Sequence, residues 1–496
     1  MTEAVAGRTQ VHGHDVNRWL VLVLVCMAQF MVILDATIVN VALPSIQADL
    51  DMSEADLQWI VNAYTLVFGG FLLLGGRAGD LVGRKRVFLV GVVVFSVASL
   101  LNGLAPSSEF LILFRGLQGL GAALISPAAL SIIMTTFEEG PDRTKAMGVW
   151  AAIAVGGGAV GLVLGGVLVD WLSWEWIFFV NVPVGIAVFI ASLLNVPESK
   201  DEHEHKSFDI QGAVTVTGGL IALVYTIVEA QEKGWVSAHT FGFGALAIAL
   251  LTTFVVVERR SSEPLVRLSI FRVPTVRAAN VVMFVVAAGL FAMFFFNTLY
   301  VQRVLGYSAL EAGIAFLPFT LGIIIGAGLS QRLVPALGAR EVPLIGMALA
   351  VVGLLLFVRL QPGGEYLPDL LPGIMLCSVG MGLTFVPVTL IATSGVPAED
   401  AGLASGLYNT SQQVGGSMGL AILATLAASK TEDVLGGGGE PTPAEQGQAL
   451  VDGFHIAYVG CALFVATGAL LLMLLLRRED ARAVAVGEPA VAAAEA

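Results

Sequence analysis

The chain has 496 residues, 56% of them hydrophobic and only 13% charged, with a mean hydropathy of +0.86, a balance that excludes an ordinary soluble domain. A formal net charge of −13 at pH 7, with no basic patch interleaved with aromatics, argues against a nucleic-acid surface. Cys26, Cys377 and Cys461 all lie in apolar runs, so no disulfide framework or zinc spacing is available, and neither a metal nor a cofactor is expected.

Apolar runs of roughly 18 to 25 residues recur from Trp19 to Leu476, each long enough as a helix to cross about 30 Å of hydrocarbon. Fourteen are expected, at 19–43, 57–76, 87–105, 109–134, 146–170, 176–196, 210–230, 240–258, 280–302, 309–329, 341–360, 368–393, 402–428 and 452–476. They must be helices, because a lipid-exposed backbone has to satisfy its own hydrogen bonds and the runs lack the alternation of a barrel strand. With the N-terminus placed inside, 20 of the 25 Lys and Arg residues fall on the cytoplasmic side. Only Lys233, Arg303, Arg359 and Lys430 fall outside, and Arg115 is within a helix. Both termini are therefore expected in the cytoplasm. The stretch Met1 to Val16 lacks a signal-peptide layout, so the first span reads as retained. Abundant Ala, Gly and Val, with Arg favoured over Lys, suits the cytoplasmic membrane of a GC-rich bacterium.

Two polar loops, Pro197 to Asp209 and Glu258 to Arg277, break the rhythm and enclose only two spans. The expected organisation is a tail at 1–18, a six-helix bundle at 19–196, a linker with an inserted hairpin at 197–277, a second six-helix bundle at 278–477 and a disordered tail at 478–496. Gly436 to Gln448 reads as a flexible tether. His203 and His205 read as spare histidines of a solvated loop, not metal ligands. "RAGDLVGRKR" (Arg77 to Arg86) and "QRLVPALGAR" (Gln331 to Arg340) occupy corresponding places in the two sixes, and repeated halves are a transporter hallmark.

The first span contains "VILDATIVNVALP" (Val32 to Pro44), with Asp35 where water is scarce and Asn40 one turn beyond. After the second span, "GGRAGDLVGRKR" offers Gly76 and Gly83 for a tight turn and places Asp80 four residues before Arg84 and Lys85. Topology alone explains the basic residues but not the acid. In the fourth span, "LILFRGLQGLGAA" (Leu111 to Ala123) holds Arg115 and Gln118. An intramembrane arginine costs roughly 2.5 to 3.5 kcal/mol on insertion scales and is usually paired or cavity-facing, the alternative being a side chain that snorkels to the outer headgroups. Counting up from Arg18, Asp35 lies about 25 Å above the inner face, and Arg115 lies about 10 Å below Ser108 at the outer face. Both fall in the outer half, within roughly a turn of each other, so they are candidate partners.

In the fifth span, Gly156, Gly158 and Gly161 have dinucleotide-fingerprint spacing, but no strand precedes them and that reading fails. Gly157, Gly161 and Gly165 instead repeat every fourth residue, which allows close helix approach, and Gly322 and Gly326 offer the same spacing on a helix expected to face it across the halves. Trp171, Trp174 and Trp176 read as interfacial anchors. "LFAMFFFNTLY" (Leu290 to Tyr300) places Phe295 and Asn297 as cavity candidates, with lipid-facing packing the alternative. "AGLASGLYNTSQQVGGSMG" (Ala401 to Gly419) supplies Asn409, Gln412 and Gln413 as neutral polar candidates.

On these motifs the chain resembles the major facilitator superfamily, and within it the fourteen-helix branch of drug:proton antiporters. The loop after the second span resembles the superfamily's signature loop, though Ala78 and Leu81 depart from its pattern. "LDATIVNVALP", "LILFRGLQGLGAA", "SWEWIFFVNVPVG" (Ser173 to Gly185) and the segment from Ala401 resemble that branch's first, fourth, sixth and thirteenth helices. The fifth-helix motif departs at Leu162, where the family has proline, and Glu175 stands where arginine is commoner.

The resemblance implies an all-α membrane protein of the major facilitator fold, two six-helix bundles plus a two-helix hairpin. It implies a non-enzymatic exporter using alternating access, with protons as the counter-ion, Asp35 as the proton site, Arg115 as its tuning partner and Asp80 with Arg84 as a breakable inner latch. Burial favours the neutral carboxyl and a nearby guanidinium the charged one, so such a site can trade a proton for cargo; a static ion pair holding two helices is the competing reading. No second acid lies well inside the later spans, since Glu229 and Glu311 fall near membrane edges. The expected cargo is therefore a neutral or weakly charged amphipathic drug, antibiotic or metabolite, carried by a monomer in the lipid bilayer. An exporter or symporter of an amino acid, sugar or siderophore is the alternative. A membrane enzyme would need a nucleophile and base or a metal pair in a span, and no H-E-x-x-H is present.

Overall fold

The structure is a computed structural model, and residues 8–11, 14–138, 140–199, 209–261, 264–396, 401–435 and 442–479 of it are described here. Lys200, His203, His205, Lys206, Arg482, the glycine run 436–439 and the tail beyond residue 479 lie outside the described residues. A short antiparallel hairpin (Arg8–Val11 with His14–Asn17) precedes the first helix. Everything else of regular structure is helical: α1 Arg18–Asp49, α2 Glu54–Val82, α3 Arg84–Gly103, α4 Ser108–Thr136, α5 Pro141–Trp171, α6 Trp176–Asn195, α7 Ile210–Lys233, α8 Ala238–Arg260, α9 Pro274–Val304, α10 Ala309–Leu337, α11 Glu341–Phe357, α12 Tyr366–Thr393, α13 Ala401–Leu435 and α14 Pro443–Leu475. Twelve of them meet both the length and the hydropathy needed to span a membrane; α11 is shorter and α13 more polar.

Each expected span is present, and the differences lie at the ends. Pro44 sits inside α1, which runs on to Asp49. The segment read as a tether is helical from Pro443, because Thr442 and Glu445 form a reciprocal capping box that satisfies the first amides of α14. Asn17, Ser53 and Ser107 cap α1, α2 and α4 in the same way with their side-chain oxygens.

The outer surface is that of a membrane protein. Leu113, Leu194, Phe241, Ile248, Leu463 and Leu474 are each more than 60% exposed, an arrangement stable only against acyl chains. Trp171 and Trp176 are exposed as interfacial anchors would be. Trp174 is not: it is 5% exposed and donates its indole N–H to Asp49 Oδ2 at 2.8 Å, tying the α5–α6 turn to the end of α1.

Two compact units emerge, one of Met1–Thr217 with Arg260–Leu265 and Ala309–Ile314, the other of Gly218–Arg259, Val266–Ser308 and Ala315–Ala496. In the first, a core of Val25, Met31, Phe88, Phe95, Ile125 and Ile133 joins α1, α3 and α4. Small residues let the backbones touch: Gly119 lies on the Tyr64 carbonyl, Gly75 on Ala123 and Gly121 on Phe95. Gly157, Gly161 and Gly165 line the α5 face that meets Ile33, Thr37 and Ile38 of α1. In the second unit, Gly415 and Gly419 seat α13 on Phe284 and Ala288 of α9, and Gly380 meets Gly346 between α12 and α11. Within the second unit, Gly322 and Gly326 turn to Ser378, Val379 and Gly382 of α12, which presents its own small residues at that height.

The repeat suspected from the two loops is visible in their turns. Gly83 (φ 115°) and Gly338 (φ 110°) both break the chain in a conformation that side chains rarely adopt, each with a glutamate against it, Glu198 and Glu341. Beyond each turn a basic side chain caps the last helix of its unit. Lys85 Nζ donates to Leu193 O at 2.9 Å, and Arg340 Nη2 donates to Met473 O at 2.6 Å. Gly76, expected to share the first turn, is instead within α2, because the helix continues to Val82 and only Gly83 reverses it.

Candidate functional site

Asp35 on α1 and Arg115 on α4 are brought together. Arg115 Nη1 donates to Asp35 Oδ2 at 2.6 Å, with the two residues 1% and 0% exposed. Among the described residues the other buried acids, Asp209 and Glu258, sit at helix ends, where they accept from the Gly212 and Val266 amides. Asp35 and Arg115 are therefore the charges held in mid-span, and each has more than one partner.

Arg115 has further partners through Nη1, Nε and the face of its guanidinium. Nη1 also donates to Gln118 Oε1 at 2.7 Å, Nε donates to Ile60 O at 3.1 Å, and the guanidinium lies 4.4 Å from the Tyr64 ring centroid and 5.7 Å from that of Phe178. Gln118 Nε2 donates to Asp35 Oδ1 at 2.7 Å and to Ser99 Oγ at 2.6 Å, while its Oε1 also accepts from Asn102 Nδ2 at 2.8 Å. Asn181 Nδ2 donates to Asp35 Oδ1 at 3.0 Å. Five helices thus close around one carboxylate, which accepts from an arginine and two amides. Such charge-assisted bonds fully satisfied in a dry interior are the strong kind.

Local sequence explains the placement of Asn181. Pro183 lacks the N–H that would bond the Phe179 carbonyl, and α6 is interrupted at Val180, just before Asn181. Phe178 and Asn181, three residues apart, share one face of α6, from which Phe178 reaches Arg115 and Asn181 reaches Asp35.

Sequence reasoning missed Ser99, Asn102, Tyr64 and Asn181. Each is a neutral residue in an apolar helix, where polarity alone does not reveal which face it occupies, although Asn181 lies in a stretch singled out for its pattern. Gln118, expected to line a cargo cavity, is fully buried as the bridge between acid and guanidinium. Asn40 folds onto its own helix, donating to Ala36 O at 2.9 Å.

Two other cavity candidates lie in core packing. Phe295 packs edge-on to Phe296, and Asn297 Oδ1 accepts from the Tyr458 hydroxyl at 2.8 Å, both residues being buried. Asn409 and Gln412 do line an opening, a cleft of about 230 Å³ between α12 and α13 shared with Phe385, Thr389, Thr393, Ser405 and Tyr408. Gln413 is partly buried beside it in sequence but is not in its lining.

At the α2–α3 turn, Arg84 Nη2 lies 3.1 Å from Asp80 Oδ1, a part-buried i,i+4 pair. Lys85 is not part of that pair. Its backbone N–H donates to Glu198 Oε1 at 3.1 Å, Arg84 N donates to Ser199 O at 2.9 Å, and Arg86 lies 3.6 Å from Glu198. Glu198, 113 residues away in sequence, thus caps the start of α3.

Fourteen helices, twelve of them long and apolar enough to span a membrane, with repeated turn chemistry in two units and one ion pair in mid-span, define a multi-pass membrane transporter. Comparison with known proteins narrows the class. The major facilitator superfamily model matches residues 25–420. The chain is 40% identical over 463 residues to the puromycin resistance protein pur8 of Streptomyces alboniger, covering 93% of this chain and 90% of that one. It is 41% identical over 453 residues to the cephamycin export protein CmcT of Amycolatopsis lactamdurans, covering 91% of each. A bacterial homologue of the human lysosomal transporter Spinster, solved inward-facing and unoccupied, has the same fold, with a TM-score of 0.67 at 17% identity over 94% of this chain and 98% of that one. The chain belongs to the major facilitator superfamily, among transporters whose near relatives are drug and antibiotic resistance and export proteins.

Proposed function

We propose that the chain is a proton-driven antiporter that exports neutral or weakly charged amphipathic drugs or antibiotics by alternating access, with both termini in the cytoplasm. One observation carries this reading: a carboxylate and a guanidinium, both shut off from solvent, meet at 2.6 Å at the centre of a five-helix network. A buried charge of this kind is costly to keep, and membranes retain such charges chiefly where a task needs them.

Asp35 carries the proton and Arg115 tunes it. With the carboxyl ionised, the pair draws α1, α2, α4 and α6 together. Protonation removes the negative charge, and Arg115 then relies on Gln118, Ile60 O and the Tyr64 ring. Because Asp35 is closed off in this conformation, neither proton nor cargo reaches it without movement of the surrounding helices, as exchange by turns requires. The cargo reading is supported by the α12–α13 cleft, whose lining contains aromatic, hydroxyl and amide groups and no charge. Asp80 and Arg84 act as the latch on the cytoplasmic side, a part-exposed pair joined by one bond that can break in each cycle.

Reconstitution in vesicles with an imposed pH gradient tests the proposal, using puromycin and membrane dyes as probes. Asp35→Asn is expected to abolish movement of the probe against its own gradient while the folded protein still exchanges the probe without a gradient. Undiminished uphill transport in that variant ends the proposal.

A further inference from the structure

We infer that Asn181 is the positioning residue whose side-chain amide turns over as Asp35 gains and loses its proton, presenting Nδ2 to the carboxylate and Oδ1 to the carboxylic acid. The inference rests on the reading of Asp35 as the proton site and adds the device that lets a fully satisfied carboxylate accept a proton at all.

In the structure every side-chain partner of Asp35 is a donor: Arg115 Nη1 on Oδ2, and Gln118 Nε2 and Asn181 Nδ2 on Oδ1. That set fits the ionised acid, which is acceptor-only. A proton arriving on the carboxyl makes an O–H that needs an acceptor, and a donor already facing it has to leave. Arg115 has no acceptor to offer. Gln118 cannot turn, because its Oε1 is held by Arg115 Nη1 at 2.7 Å and Asn102 Nδ2 at 2.8 Å, and reversing the amide would set donor against donor at both contacts.

Asn181 is held in the site through its Nδ2. Its Nδ2 contacts Asp35 Oδ1 at 3.0 Å and Ser99 Oγ at 3.4 Å. A half-turn of the amide about its last side-chain bond places an acceptor at the same position, and the Ser99 hydroxyl can rotate to donate in turn. The proton therefore resides on Asp35 Oδ1, and no proton moves on Asn181 itself. The residue stands beside the interruption of α6 at Val180, where the helix is not held by a Pro183 amide. The titratable or charged groups facing the carboxyl are Arg115 of α4 and Tyr64 of α2; α3 and α6 contribute only Ser99, Asn102 and Asn181, and the α5 face on α1 contributes glycines.

Infrared difference spectroscopy of the full chain in liposomes, titrated from about pH 4 to about pH 10, tests this without a substrate. Asp35→Asn assigns the carboxylic-acid carbonyl band of Asp35. In the wild type that band is expected to appear together with a change in a side-chain amide band. In Asn181→Leu the amide change is expected to vanish and the acid band to move to higher wavenumber, as an O–H without an acceptor requires. The titration midpoint is expected to move to higher pH by about one unit, because the charged form loses a stronger bond than the neutral form does. If Asn181→Leu does not insert, Asn181→Ala is titrated in its place. An Asp35 band that titrates with unchanged wavenumber and midpoint in a folded Asn181 variant overturns the inference and leaves the proton site standing. The absence of any titrating band in the wild type overturns the proton reading instead.

Discussion

Replacing Arg115 by methionine leaves Asp35 in the bundle without its cation, and the structure sets the size of the effect. Arg115 is 1% exposed and makes a 2.6 Å ion pair, two further hydrogen bonds and a cation–π contact, none of which methionine reproduces. Removing one member of a buried pair costs about 3 to 5 kcal/mol, because the other charge stays behind. Removing both costs much less. Asn at position 35 no longer carries the charge that needed a guanidinium, so Asp35→Asn combined with Arg115→Met is expected to lie within about 2 kcal/mol of the wild type, far short of the sum of the two single effects. Thermal or denaturant unfolding of the four purified proteins in one detergent gives the cycle directly. Single-mutant effects that add to within about 0.5 kcal/mol would refute the view that the pair is an energetic unit.

Other outcomes follow from the packing and from the turn. Gly161→Ala places a methyl against Thr37 Oγ1 and the Leu34 carbonyl at the α1–α5 contact, and is expected to cost about 1 to 3 kcal/mol of stability together with transport; unchanged melting would mean that the two helices separate freely. Asp80→Asn is expected to change stability by less than about 0.5 kcal/mol, since its pair with Arg84 is part-exposed, yet to slow transport several-fold in vesicles. Full transport in that variant would remove the latch from the mechanism. Asn409→Phe fills much of the α12–α13 cleft, and is expected to weaken binding of bulky probes about tenfold in a fluorescence competition assay while sparing the Asp35 titration; equal loss for every probe, large or small, would argue for general misfolding.

Asp35 and Arg115 were legible in the sequence because a charge within an apolar run is conspicuous, and because helical rise places both at one depth. Their neutral partners were not. Ser99, Asn102 and Asn181 look like the many small polar residues that apolar helices tolerate, and only the approach of α3 and α6 makes them part of the site. The same holds at the α2–α3 turn, where Gly83, Asp80 and Arg84 were visible as a motif but Glu198 comes from a loop 113 residues later. Phe295 and Asn297 could not be placed from the sequence, because aromatic and amide groups at helical spacing suit a cavity wall and a core equally well; in the structure both are packed in the core.

By itself the sequence determined that this chain forms about fourteen helices able to enter a bilayer, roughly where each of them lies, and that one acid and one arginine lie in the interior. Those features are local, since they depend on run length, capping chemistry and the cost of a charge in hydrocarbon. The tertiary structure decided which neutral groups surround the acid, which glycines meet which helix and which amide is free to turn. Those depend on the rotation of each helix about its own axis, which only packing against its neighbours fixes.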